Sequence, residues 1–217
     1  MTERERAIAD IYKTVKDKYP NNLLYVMPDR FTKKLKSFML IREDLFFISQ
    51  IAEELISLRE SPGSNYMTEF ALWQSIIITY GKCFTENMAG MSKLEKSVFE
   101  PHDKKYQEIH DHLMDLRHSY IAHRGDTANE QAMVFIKVSK TGYMLDGDTE
   151  NIIIARKLAS PRVRDLKSLI ALLNLLIKEV EVKIQKNGDK AHNAFLKNIS
   201  PEQAKAYLVN DMKLDGY

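Results

Sequence analysis

The chain has 217 residues at 25.2 kDa, enough for one ordinary core and short for two independent ones. Apolar residues make up 44% and charged residues 29%, with only 8 Gly and 6 Pro, which excludes a disordered chain and argues against a turn-rich β-sandwich. Lysine and arginine total 32 against 30 acidic residues, so a formal charge of +2 is too balanced for a whole-surface nucleic-acid binder, and any anion site has to be local.

The N-terminal string MTERERAIADIY is charged where a signal peptide needs an apolar stretch, and the apolar run LIALLNLLI at 169–177 is too short to span a bilayer. Cys83 stands alone, so neither an internal disulfide nor a Cys-x-x-Cys pair can form. Both features lead to the expectation of a soluble cytoplasmic protein with no membrane association.

From Glu3 to about Lys18, Ala7, Ile8, Ile11, Tyr12 and Val15 recur at helical spacing until Pro20, Asn21 and Asn22 intervene. After Asp29 the residues Phe31, Leu35, Phe38, Leu45, Ile48, Ala52 and Leu55 predict one long helix, or two with a bend, ending at Ser61, Pro62 and Gly63. Ser64 and Asn65 are candidate caps for a third helix to about Phe84, apolar on nearly every side and therefore central. Ser92 and Glu95 have capping-box spacing for a short helical piece. Pro101 then opens a fourth helix, with Ile109, Leu113, Leu116 and Tyr120 as its core stripe and Gly125 and Asp126 as its close.

Rising β-branched content in Ala132–Val138 and Asn151–Ala155, with turn residues Thr141, Gly142, Asp146 and Gly147 between, predicts a β-hairpin at about 132–156. Ser160 and Pro161 start a fifth helix carried by Val163, Leu166, Ile170, Leu173, Ile177, Val180 and Ile184 to Asn187 and Gly188. Ser200, Pro201 and Gln203 then suggest short C-terminal helices within about 189–213. The expectation is a single all-α domain over 1–217, an antiparallel helical bundle of about five main helices with a short β-hairpin excursion.

Five of the six histidines, His102, His110, His112, His118 and His123, fall within residues 102–123. Histidine suits proton transfer near neutral pH, and arginine can hold a phosphate through two parallel hydrogen bonds. Both occur together in LRHSYIAHRG. In a continuous α-helix Arg117 and His123 would lie about 9 Å apart along the axis and about 120° around it, reaching both edges of one cleft. An arginine so near a core stripe is costly to desolvate unless it meets an anion or a carboxylate.

The run Leu116, Arg117, His118, Ser119, Tyr120, Ile121, Ala122, His123, Arg124 resembles the Arg-polar-x-x-x-Ala-His signature of HEPN domains, helical proteins of bacterial antiphage and toxin–antitoxin systems. The aromatic-rich helix around Trp73 and the helix order extend the likeness loosely over about 1–185. The resemblance implies a metal-independent endoribonuclease without cofactors, in which two copies of the motif meet across a homodimer cleft. By position, Arg117 would hold the scissile phosphate, His123 would transfer protons during attack by the ribose 2'-hydroxyl, and His118 would orient, with Tyr120 close by. One subgroup carries a tyrosine two residues after the histidine, the target of a nucleotidyltransferase antitoxin; Gly125 stands there in this chain. Arg124 and the cluster Arg156, Lys157, Arg162, Arg164 and Lys167 are further candidates for RNA contact, or a solvated helix start.

Other readings remain open at this level. Arg117 and His123 would serve equally as a structural pair, an arginine against a carboxylate and a histidine capping a helix end. The same cleft in a non-catalytic dimeric module would bind nucleotide, RNA or a partner protein. Glu108, Asp111, Asp115 and His118 share a helix face and suggest a metal-binding bundle, although one helix supplies too few ligands. His102, His110 and His112 read as ordinary polar-face histidines, Trp73, Phe70, Ile77 and Tyr80 as core, and Cys83 as a buried small hydrophobe.

Overall fold

The structure, a computed structural model of the chain, describes residues 2–63, 65–86, 90–121, 131–137, 150–156 and 161–209. Among them the elements follow the order α1 (Glu3–Lys18), α2 (Asp29–Glu60), α3 (Tyr66–Phe84), α4 (Lys104–Asp115), β1 (Gln131–Lys137), β2 (Glu150–Arg156), α5 (Val163–Asn198) and α6 (Pro201–Ala204). This is an all-α fold with a short hairpin, as the periodicities predict. No described helix is long and apolar enough to cross a membrane. The residues group into two compact units, Met1–Met39 with Glu181–Tyr217, and Leu40–Val180.

In the second unit α2 buries Ile41, Leu45, Ile48, Ala52 and Leu55, a 4-3-4-3 spacing that keeps one stripe on one face. Sequestering a leucine or isoleucine in this way contributes roughly 1.5–3 kcal/mol. The α3 helix starts at Asn65, whose side chain accepts a hydrogen bond from the Met67 amide at 2.9 Å, and it buries Trp73, Ile76, Ile77, Tyr80, Cys83 and Phe84. Burial, reinforced by Asp44, pushes the Cys83 thiol up to about 12, so this cysteine is an inert hydrophobe. At the open end of α2 and α3, Arg59 donates to Glu69 at 2.8 Å and to the Pro161 carbonyl that precedes α5, tying three helix ends together.

The first part of α5 buries Leu166, Leu169, Leu172, Leu173, Leu176 and Val180. The predicted positions Leu166, Leu173, Ile177 and Val180 are buried, and the stripe is wider than predicted: Leu169, Leu172 and Leu176 join it, while Ile170 is half-buried. Between α3 and α4 the short helical piece is a 3-10 turn, Lys96–Phe99, whose start at Glu95 carries no side-chain cap, and not a turn capped by Ser92. The Leu94 amide donates to the Cys83 carbonyl at 2.8 Å, holding this connection to the end of α3.

In the first unit the Val26 amide donates to the Tyr207 carbonyl and the Val209 amide to the Leu24 carbonyl, both at 2.8 Å, so the α1–α2 linker and the segment after α6 form a minimal antiparallel bridge. The predicted start at Ser200 is present as a full capping box with Gln203, with hydrogen bonds of 3.2 and 3.0 Å. The expected stop of α5 at Asn187 and Gly188 is not observed, because the helix runs on to Asn198. One glycine costs a helix only about 1 kcal/mol relative to alanine. Asn187 turns its amide onto the Lys183 carbonyl one turn back, at 2.7 Å, instead of capping an end.

The hairpin strands pair antiparallel, with Val134 opposite Ile153 and Met133 opposite Ile154. The turn residues Thr141, Gly142, Asp146 and Gly147, the helix starts Ser64 and Ser160, and Val138 lie outside the described residues.

Candidate functional site

Asp103 opens α4 by accepting the Lys105 amide at 3.0 Å, and the regular helix ends at Asp115. The chain does not stop there. It continues as a wider, π-helical turn over Leu116–Ile121, which contains Arg117, His118 and Tyr120. Such turns carry i→i+5 hydrogen bonds and are frequent at functional sites. Over Leu116–Ile121 the 3.6-residue period of an α-helix no longer applies, and His123, the other member of the expected pair, lies outside the described residues.

Within that turn Arg117 is half-buried and its stem lies across α3 at Gly81. The approach is so close that a Cβ on residue 81 would fall 1.9 Å from Arg117 Cδ and 2.5 Å from Nε. Only glycine leaves this channel, which accounts for a residue that otherwise weakens the last turn of an apolar helix. Among the described residues no carboxylate pairs with the Arg117 guanidinium. The structural-pair reading expected such a carboxylate.

The residue before Gly81 holds a second polar feature. Tyr80, fully buried, places its hydroxyl 3.0 Å from His110 Nδ1. His110 is only 5% exposed and is boxed by Phe84 and Phe99, with ring centroids at 4.4 and 4.8 Å. Burial pushes its imidazole down to about 4 despite Asp111 beside it, so at neutral pH the ring is uncharged. The expectation of a polar-face histidine is thus wrong for His110, because α4 turns that face onto the aromatic end of α3. Desolvation also raises the Tyr80 hydroxyl well above its ordinary value. The pair is a satisfied hydrogen bond inside the core.

The opposite side of α4 borders a cleft of about 420 Å³. Its floor is Trp73, Leu113, Leu166 and Leu169, and Glu108, His112 and Asp165 stand among its lining residues. Arg117 does not line it. His102 is engaged elsewhere, with Nε2 3.2 Å from Glu179. Of the proposed metal face, Asp111 is paired with Lys96 at 2.7 Å and Asp115 accepts the Ser119 hydroxyl at 2.9 Å, while His118 is exposed. No three His, Cys, Asp or Glu among the described residues gather as metal ligands.

Arg162 and Arg164 are solvent-exposed at the start of α5 and share Asp165, at 3.0 and 3.8 Å. The contact with Arg162 holds the Asp165 carboxyl below its usual range. Local pairing at a solvated helix start accounts for them as they stand. His123, Arg124, Gly125, Asp126 and Lys157 lie outside the described residues, as do the side chains of Tyr120 and Arg156. The close approach at Gly81 is what sequence reasoning missed, and a glycine set among Tyr80, Lys82 and Cys83 in a helix predicted to be central was its available signal. No protein-family model, curated protein or solved structure matches the chain.

Proposed function

We propose that the chain is a HEPN-like, metal-independent endoribonuclease of a toxin or antiphage defence system, acting as a homodimer with Arg117 and His123 at its site. The observation that carries this reading is Arg117 itself: a half-buried arginine whose stem lies on Gly81 inside a π-helical turn, with no carboxylate among the described residues to neutralise it. A cation held so near a core is costly unless an anion completes it, and a phosphodiester does so through two parallel hydrogen bonds.

In the reaction the 2'-oxygen bonds to phosphorus as the bond to the 5'-oxygen breaks, leaving a 2',3'-cyclic phosphate. His123 takes the hydroxyl proton, and its counterpart in the second copy returns one to the leaving oxygen. Arg117 stabilises the charge on the non-bridging oxygens. An antitoxin or regulatory protein would restrain such an activity in the cell.

The test is incubation of purified protein with structured and single-stranded RNA in excess EDTA, comparing the parent with His123→Ala, Arg117→Ala and Gly81→Ala. Cleavage to cyclic-phosphate ends by the parent, with at least about 100-fold loss in the first two variants, is expected. Gly81→Ala should lose activity alongside Arg117→Ala while melting near the parent temperature. The gain in helix propensity of up to ~1 kcal/mol offsets the off-rotamer cost to the displaced arginine. Intact RNA with all four folded proteins overturns the proposal.

A further inference from the structure

The β1–β2 ribbon shows apolar side chains on both of its faces. Val134, Ile136 and Ile153 are 66, 61 and 70% exposed on one face, and Met133 and Ile154 are 58 and 54% exposed on the other. A soluble strand that faces water on one side normally alternates apolar with polar residues, and a run such as Ile152–Ile154 belongs to strands covered on both sides. An isolated two-stranded hairpin is also marginal in water and needs further strands or a helix packed on it for stability. Among the described residues no third strand pairs with either edge.

We propose that β2 pairs edge to edge with β2 of a second copy of this chain, in antiparallel register about Ile153, giving a four-stranded sheet ordered β1-β2-β2-β1 across a two-fold axis. The occupant follows from the charge order of the strand. Its sequence, ENIIIAR, begins with an acid, ends with a base and has three isoleucines at its centre. Antiparallel self-pairing over all seven residues sets position 150 of one copy against 156 of the other, so opposite charges face at both ends. Ile153 then meets its own copy, and Ile152 meets Ile154 twice. The β1 strand, QAMVFIK, has no such order, because the same operation sets Gln131 against Lys137. A two-fold axis needs a self-complementary patch, and β2 is the strand that supplies one. The pairing goes beyond the proposed function and holds for a chain that cleaves RNA and for one that does not.

Cysteine placement and charge reversal in the full chain test the pairing. Directly opposed residues of an antiparallel pair have Cα atoms ~4.5–5.5 Å apart, within the ~4.4–6.8 Å that a disulfide spans. Ile153→Cys should therefore give a disulfide-linked dimer under mild oxidation, with the buried native Cys83 silent. Val134→Cys, on the outer strand opposite Ile153, should stay unlinked. In sedimentation, Arg156→Glu should weaken the dimer about tenfold or more, because two attractive pairs become repulsive. Mixing it with Glu150→Arg should restore a heterodimer, and an unchanged helical spectrum confirms that each variant is folded. A monomeric parent at every concentration, an Arg156→Glu dimer as tight as the parent, or linkage through position 134 in place of 153 would each overturn the proposal.

Discussion

Three consecutive isoleucines occur twice in this chain, and the two runs meet opposite fates. In α3, Ile76 and Ile77 are fully buried and Ile78 is 51% exposed; in β2, Ile152, Ile153 and Ile154 are 41, 70 and 54% exposed. The tripeptide itself favours strand over helix, since β-branched side chains lose rotamer freedom in a helix. In α3 the preference is overridden by Trp73, Tyr80 and Phe84, which extend the run at helical spacing into one buried face. In β2 the flanking residues are Asn151 and Ala155, no helical stripe forms, and the local preference survives. Local propensity thus decides where burial is absent and yields where burial is large.

The sharpest way to break the contrast is to truncate one member of each run. Ile76→Ala should destabilise the protein by roughly 2–5 kcal/mol in urea unfolding, through lost transfer energy and the cavity left behind. The same change at Ile153 should cost the monomer less than about 1 kcal/mol. Equal losses would mean that the ribbon is covered in the monomer and that the comparison is false.

A smaller effect separates the regions by pH. His110 sits inside the helical centre with a folded-state pKa lowered to about 4, whereas an unfolded histidine titrates near 6.5. The sign follows from proton binding: between these values the unfolded chain takes up the proton and the folded chain does not. Stability from this group is full above about pH 6.5 and falls as pH drops towards 4, by about 3 kcal/mol. His110→Phe should flatten this part of the melting profile, measured by circular dichroism between those limits.

The smallest expected effect concerns a glycine with open space where its Cβ would be. A Cβ at Gly188 meets no atom within 4 Å, in contrast to Gly81, where one collides with Arg117. Gly188→Ala should raise stability by about 0.5–1 kcal/mol through helix propensity, visible as a higher melting temperature with no change in any activity.

Much of the fold was legible because its signals are local or strictly periodic. The helix start at Asn65, the capping box at Ser200 and the stripe Leu45, Ile48, Ala52, Leu55 each declare themselves in the sequence. The continuation of α5 through Gly188 was not legible, since a single glycine is a weak breaker that the helix formers on either side of it can outweigh. Of the candidate site, the residue types around Arg117 were legible. Their geometry was not, because a π-helical turn has no sequence signature and changes the angular spacing of every side chain it carries.

Spacing, caps and β-branched runs act over a few residues, and they alone carry the helical class, the hairpin, the lone thiol and the arginine beside a core stripe. That Arg117 rests on Gly81, that His110 belongs to the core with Tyr80, and that Ile76 and Ile77 are hidden while Ile152–Ile154 are bare came with the folded chain. The physical reason is common to all three. Each depends on which residue of a distant segment arrives within a few ångströms, and desolvation and close packing are properties of that arrival, set by neither partner's sequence alone.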